Sequence, residues 1–350
     1  MAAGELILRQ TTIDHEEAIG MSYRTAIIGL GGISATHISQ WQKLDEVEIV
    51  AGSDVNPEAV AKAEEAHGLK GFTDWRKMLD DVKPDIVSIC TPPFLHREMA
   101  TECLQRGIHV LCEKPMAATL EDAEALAEAA AKSDAKLMIA YCHRFHGPIM
   151  KLKEVLDSGI LGKPVFFRGG FTGMIQFETN HRASLMQAGG GALMDNGSHA
   201  TDLYTFLLGK VKNVSCRAGC LLQCMETDDV GILLFEGEAG CYGEVIAGYS
   251  LPGELTEWLI TGEKGILTMP NYFAGPVRFR AHDSQEWQEF ECDNSETRFD
   301  RQFRHFLECV KEDKQPISNV ETALHVQRVL TAAYKDAASP GIPLAGCGCC

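Results

Sequence analysis

From Tyr23 to about residue 141 the sequence alternates short apolar or β-branched runs with helical stretches, and this alternation restricts the fold more than any other feature. TAIIGL gives way to ISATHISQWQKL, EIVAGSD to PEAVAKAEEAHG, DIVSICT to LHREMATECLQRG, HVLCEK to LEDAEALAEAAAKS, and KLMIAYC closes the series. Strand, helix, strand, helix is the pattern of a parallel sheet with helices on both faces. The runs are continuously apolar, as strands covered on both sides must be. After Arg144 the rhythm changes. A helix over 147–158 leads to a glycine-rich loop and a further helix. Strands follow near 213–224, 229–236, 241–249, 255–261, 265–269, 277–281 and 286–291, and then helices over 297–313 and 321–338. Short Gly and Asp turns between successive strands predict a mostly antiparallel sheet. The expected fold class is therefore an α/β Rossmann domain (21–143) followed by an α+β domain (144–345). Residues 1–20, ahead of a second methionine at Met21, are expected to be an N-terminal extension outside the fold, or translation begun upstream, and 346–350 a Cys-rich tail.

Composition narrows the function classes. Lys and Arg number 32 against 49 Asp and Glu, a net charge of −17, and no basic run offers a surface for a phosphate backbone, so nucleic acid and anionic membrane are not expected partners. No apolar stretch reaches bilayer length, and Glu5, Arg9, Asp14, Glu16 and Glu17 interrupt any leader-like segment; a cytoplasmic location is expected. The cysteines number 13 and read as reduced thiols. Cys216, Cys220 and Cys224 read as small core residues on one face of a strand, and Cys347, Cys349 and Cys350 lack a further ligand nearby to complete a zinc site.

Three groups of residues carry chemistry. Gly29-Leu30-Gly31-Gly32-Ile33-Ser34 joins the first strand to a helix, where glycines permit a tight turn and close approach of a pyrophosphate to the helix N-terminus. Ser34 occupies the place of a third glycine, which needs only a small side chain. Asp54 ends the second strand, where a carboxylate accepts hydrogen bonds from the ribose hydroxyls and repels a 2′-phosphate, so NAD is expected over NADP. The alternative is that Asp54 caps the helix opening at Pro57, a task open also to Asn56. Thr91-Pro92-Pro93-Phe94-Leu95-His96 and Cys112-Glu113-Lys114-Pro115 stand at the carboxyl ends of later strands, where open α/β sheets bind ligands. Finally, a flexible glycine run, Gly189-Gly190-Gly191, precedes a helix on which Asp195 and His199 share one face. A carboxylate and an imidazole so placed can act on one hydroxyl; the structural alternative is a helix start favouring Asp195, with His199 packed.

The ordered set GLGGIS, Asp54, TPPFLH, CEKPMA, HRF, GGGALMDNGSH and ITGEKGIL resembles the GFO/IDH/MOCA family of NAD(P)-dependent oxidoreductases over essentially residues 22–345. The resemblance implies an open-faced second sheet, covered by another subunit in a homodimer or homotetramer, and a substrate held between the domains. It implies a catalytic group of Lys114, Asp195 and His199, with no metal, and a cis bond before Pro115. The cofactor contacts implied are Gly29, Gly31, Gly32, Ile33, Ser34, Asp54, Thr91, Pro92, Pro93, His96, Glu113 and Lys114. Arg144, Arg182 and Tyr249 join Lys114, Asp195 and His199 as expected substrate contacts. Two places depart from common members: Phe177–Arg182 lacks a tryptophan before the arginine, and His143 replaces a small or amide residue. The expected reaction is hydride transfer between nicotinamide and a secondary hydroxyl or ketone of a sugar, sugar derivative or inositol. An NAD-dependent glycosidase or lyase, a dihydrodiol dehydrogenase or other non-sugar reductase, and a non-catalytic NAD sensor are the alternatives.

Overall fold

A computed structural model describes residues 22–177, 180–253, 257–273 and 275–339; the N-terminal extension and the Cys-rich tail lie outside the described residues. The first sheet contains β1 (Tyr23–Ile28), β2 (Val47–Ser53), β3 (Lys70–Phe72), β4 (Ile86–Ile89), β5 (His109–Cys112) and β6 (Leu137–Ile139), all parallel, in the order β3-β2-β1-β4-β5-β6. Because side chains alternate along a strand, Ala26, Ile28, Val87, Ile89 and Val110 enter the core on one face, while Ile27, Ile86, Leu111 and Met138 enter the core on the other. The order reverses between β1 and β4. Their carboxyl ends therefore diverge and leave a crevice, as in other doubly wound sheets.

The second sheet contains β7 (Pro164–Thr172), β8 (Val211–Gly219), β9 (Val230–Gly237), β10 (Tyr242–Gly248), β11 (Trp258–Gly262), β12 (Gly265–Met269), β13 (Val277–Ala281) and β14 (Gln288–Phe290), in the order β14-β13-β12-β11-β7-β10-β9-β8. Every pairing is antiparallel except β7 with β10. The helices Ala192–Leu208 and Val320–Ala337 cover its inner face, where Phe167, Leu233, Phe235, Val245 and Ala247 are buried. On the outer face Ile232, Leu234 and Tyr242 are exposed. Among the described residues no helix is long and apolar enough to cross a membrane.

Two departures from the sequence reading have physical causes. The strand expected to run to residue 224 stops at Gly219, because the Asp229 carboxylate accepts hydrogen bonds from the N–H groups of Leu221, Leu222 and Gln223 at 2.7, 2.8 and 3.0 Å and curls the chain around itself. Only Cys216 is buried; Cys220 and Cys224 are exposed and do not share a strand face with it. The helix Arg298–Lys311, assigned by position to the second domain, lays Phe303, Phe306 and Leu307 against Trp41 and Ile38 of the helix Ser34–Trp41, in the core on one face of the first sheet, with the Trp41 and Phe303 rings 4.8 Å apart.

Candidate active site

At the carboxyl end of β1, Gly29 has φ +89°, and a Cβ there would lie 2.8 Å from the Cys90 carbonyl carbon, so both the turn and the contact with the end of β4 require glycine. A Cβ on Gly31 or Gly32 would meet no atom within 4 Å. Both glycines line a cleft of about 730 Å³ at the carboxyl ends of the parallel strands. The helix Ser34–Trp41 has no side-chain cap, which leaves its N-terminal end available to an anion. Ser34 is buried, and its hydroxyl donates to the Gly31 carbonyl at 2.5 Å. Small backbone, open space and an uncapped helix start together fit a pyrophosphate.

Asp54 does not cap the following helix. Asn56 does, accepting from the Glu58 N–H at 3.0 Å. Instead Asp54 braces the glycine loop, with Oδ2 accepting from the Leu30 N–H at 2.8 Å and Oδ1 from the Asn56 N–H at 2.9 Å, and it lines the cleft. Thr91, Pro92 and Pro93 form the opposite wall. His96 is fully buried beneath them, its Nδ1 2.9 Å from the Pro115 carbonyl and its Nε2 2.9 Å from the Thr91 carbonyl. It ties two loops together and is absent from the cleft lining.

Glu113 and Lys114 follow β5, and the Lys114–Pro115 bond is cis. Burial alone would raise the Glu113 pKa, but the hydrogen bond from His37, at 3.0 Å, holds the carboxyl below its usual range. The Lys114 ammonium donates to Asp195 Oδ1 across the cleft, while Asp195 Oδ2 accepts from Arg182 Nε and from the Tyr249 hydroxyl, each at 2.8 Å. Burial pushes the Asp195 carboxyl up, yet the Lys114 and Arg182 charges outweigh it and hold the group well below the ordinary carboxylate range. His199, one turn further along the same helix, is 8% exposed and lines the cleft beside them. Its Nδ1 has no hydrogen-bond partner among the described residues. Burial first, then the nearby Lys114 and Arg298 charges, push the imidazole well below 6.5, so it is neutral at neutral pH.

The helix bearing Asp195 and His199 is placed by contacts that leave no room for side chains. A Cβ on Gly189 would lie 2.1 Å from the Ala118 carbonyl oxygen, one on Gly190 2.2 Å from the Tyr334 hydroxyl, and one on Gly191 1.8 Å from the Asp228 carbonyl oxygen. The run read as flexible is thus locked. Asp228 also caps the helix from a distant strand entry, accepting from the Gly191 and Leu193 N–H groups at 2.8 Å each.

Two expected substrate contacts point elsewhere. Arg144 spends its guanidinium on Asp202, Nε to Oδ2 at 2.8 Å and Nη2 to Oδ1 at 2.6 Å, with both side chains buried, and it does not reach the cleft. Tyr249 is 1% exposed and acts on Asp195 from behind. Arg298 and Phe299, at the start of a helix with no local signature, line the cleft and escaped the sequence reading.

With this geometry in view, comparison with known proteins is decisive. Residues 23–141 match the oxidoreductase family with NAD-binding Rossmann fold, and residues 149–268 match the GFO/IDH/MocA C-terminal domain. The chain belongs to the GFO/IDH/MocA oxidoreductase family. A D-apiose dehydrogenase from Paraburkholderia graminis is 25% identical over 338 residues, covering 90% of this chain and 88% of that protein. The scyllo-inositol 2-dehydrogenase (NAD(+)) of Bacillus subtilis is 25% identical over 325 residues, 87% of this chain and 91% of its own. The crystal structure of aldose-aldose oxidoreductase from Caulobacter crescentus, complexed with glycerol, superposes with a TM-score of 0.80 at 26% identity, covering 90% of this chain and 97% of that one. This GFO/IDH/MocA member is an NAD-binding dehydrogenase acting on CH–OH groups.

Proposed function

We propose that the protein moves a hydride between NAD and the carbon bearing a secondary hydroxyl of a sugar, a sugar derivative or an inositol. The substrate class draws support from the sugar and inositol dehydrogenases it resembles. The observation that carries the mechanism is the Asp195 carboxylate, shared between Lys114, Arg182 and Tyr249 beside a neutral, buried His199.

The glycine loop and the uncapped helix start would hold the pyrophosphate, and Asp54 would accept from the ribose hydroxyls. NAD bound there supplies the hydride acceptor at its nicotinamide. His199 takes the hydroxyl proton as general base, which its neutral state permits. Lys114 donates to the same oxygen and stabilises the negative charge that develops on it. Asp195 fixes the ammonium in place before reaction, so little reorganisation remains. Arg182 contacts a further substrate oxygen. A second copy of the chain covers the outer sheet face at Ile232, Leu234 and Tyr242.

The test is a screen of polyols, neutral sugars and sugar acids with NAD, read by absorbance of the reduced nicotinamide, followed by Lys114→Ala and His199→Ala. Each variant is expected to bind NAD normally while kcat falls by about two to four orders of magnitude. Folded, NAD-binding variants that turn over within about threefold of the parent, a change too small for lost acid–base help, would sink the mechanism. Product formation without net NADH would indicate transient oxidation with elimination instead.

A further inference from the structure

The carboxyl end of β6 runs directly into Cys142 and His143, and these meet His199 from the site helix. One donor atom from each of the three lies within 4.8 Å of the other two, and all three side chains are buried. The imidazole rings of His143 and His199 are 4.3 Å apart. His143 Nδ1 is paired with the Tyr272 hydroxyl, which holds the ring and leaves Nε2 outside that bond, a common arrangement around metal-bound imidazoles. His199 Nδ1 is buried and unpartnered. The hydroxyl chemistry described above makes no use of Cys142 or His143.

We infer that Cys142, His143 and His199 form a binding site for a soft divalent cation such as Zn²⁺, and that its occupation reversibly inhibits the enzyme. One thiolate and two imidazoles are a zinc-type donor set, with the fourth, open position facing the cleft. Zinc bonds of about 2.0–2.3 Å place tetrahedral ligand atoms roughly 3.5 Å apart, so the side chains need to close by little more than about 1 Å. On binding, the Cys142 thiol loses its proton to solvent, and the two imidazoles each give a lone pair. Lys114 and Arg298 stand near and oppose a dication. Burial pushes the Cys142 thiol up to about 11 and outweighs the pull of Arg298 and Lys114 toward the thiolate, so the metal itself displaces the proton, and the thiolate's charge then offsets half of the ion's. The inhibition follows because the metal takes a lone pair of His199; this consequence rests on the base role proposed above, whereas the site itself does not.

The experiment titrates the full-length, NAD-loaded protein with CoCl₂ and ZnCl₂. The parent is expected to show thiolate-to-cobalt absorption, and Cys142→Ser to lose one equivalent of it, which separates this site from the other cysteines. Cys142→Ser is further expected to retain metal-free turnover and to need at least about tenfold more zinc for inhibition, as fits loss of one ligand. Cys142→Ala, with thermal unfolding of both variants, guards against a folding defect. Equal cobalt stoichiometry and spectra in the parent and a folded Cys142 variant overturn the site. Thiolate-bound cobalt at the lost equivalent with unimpaired turnover upholds the site and overturns the assignment of His199 as base.

Discussion

Asp54 performs two tasks that a substitution can separate. Its carboxylate braces Leu30 and Asn56 through backbone hydrogen bonds of 2.8 and 2.9 Å, and in the cofactor placement proposed above it would meet an arriving 2′-phosphate. Asp54→Ser removes both functions; Asp54→Asn keeps an acceptor oxygen but removes the charge. A hydrogen bond to a charged group contributes about 1.5–3 kcal/mol, and at this half-buried, solvent-open position the lower end applies. Loss of the brace in Asp54→Ser should therefore weaken NADH binding by about tenfold, since 1.4 kcal/mol is one decade. The repulsion between the carboxylate and a 2′-phosphate about 4 Å away is roughly 1 kcal/mol per charge in water and larger in the cleft. Removing it should narrow the NAD-over-NADP ratio of kcat/KM by about tenfold or more in both variants, by the same conversion. Fluorescence titration with NADH and NADPH, alongside steady-state rates with each oxidised cofactor, measures the two effects independently. An unchanged cofactor ratio in Asp54→Asn would refute the placement of the ribose against Asp54.

The remaining expectations concern pH and a buried ion pair. Because His199 is held neutral by burial and by its cationic neighbours, protonation disables the base only below about pH 6.5, so the acid limb of kcat should lie below that value; a limb centred above pH 7 contradicts the base assignment. Stability moves in the same direction: as pH falls below about 6.5 the unfolded chain protonates His143 and His199 while the folded chain resists, so denaturant midpoints should fall with acidification. Arg144→Met strands the buried Asp202 carboxylate and should cost about 3–5 kcal/mol in urea unfolding while leaving KM of the folded protein nearly unchanged; a stable variant with a raised KM would restore Arg144 to the substrate site.

What the sequence revealed of this site was what lies close along the chain. The glycine loop, the capping choice at Asn56 and the shared face of Asp195 and His199 depend on spacings of a few residues, and local periodicity carries them. The partnerships that decide their roles are long-range. Asp195 pairs with Lys114, 81 residues away, and not with the imidazole one turn along its own helix. Arg144 next to a cleft-lining His143 was read as a substrate contact, because nothing local reveals that Asp202 lies within reach of its guanidinium. Arg298 arrives in the cleft from a helix whose burial pattern speaks only of its packing on the first sheet.

The tripeptide Gly189–Gly191 gives the helix bearing Asp195 and His199 its position without contributing a side chain of its own. Its three Cα positions touch the segment after Pro115, the C-terminal helix and the entry to β9, so one added methyl displaces a different part of the molecule in each case. Gly190→Ala pushes on Tyr334, whose hydroxyl holds Asp228 at 2.6 Å; Gly191→Ala pushes on Asp228 itself, the residue that fixes the helix start. Errors made at this seam are transmitted to Asp195 four positions later and from there to Lys114. The precision demanded of two charged atoms in the cleft is thereby imposed on residues that contribute no side chain to it.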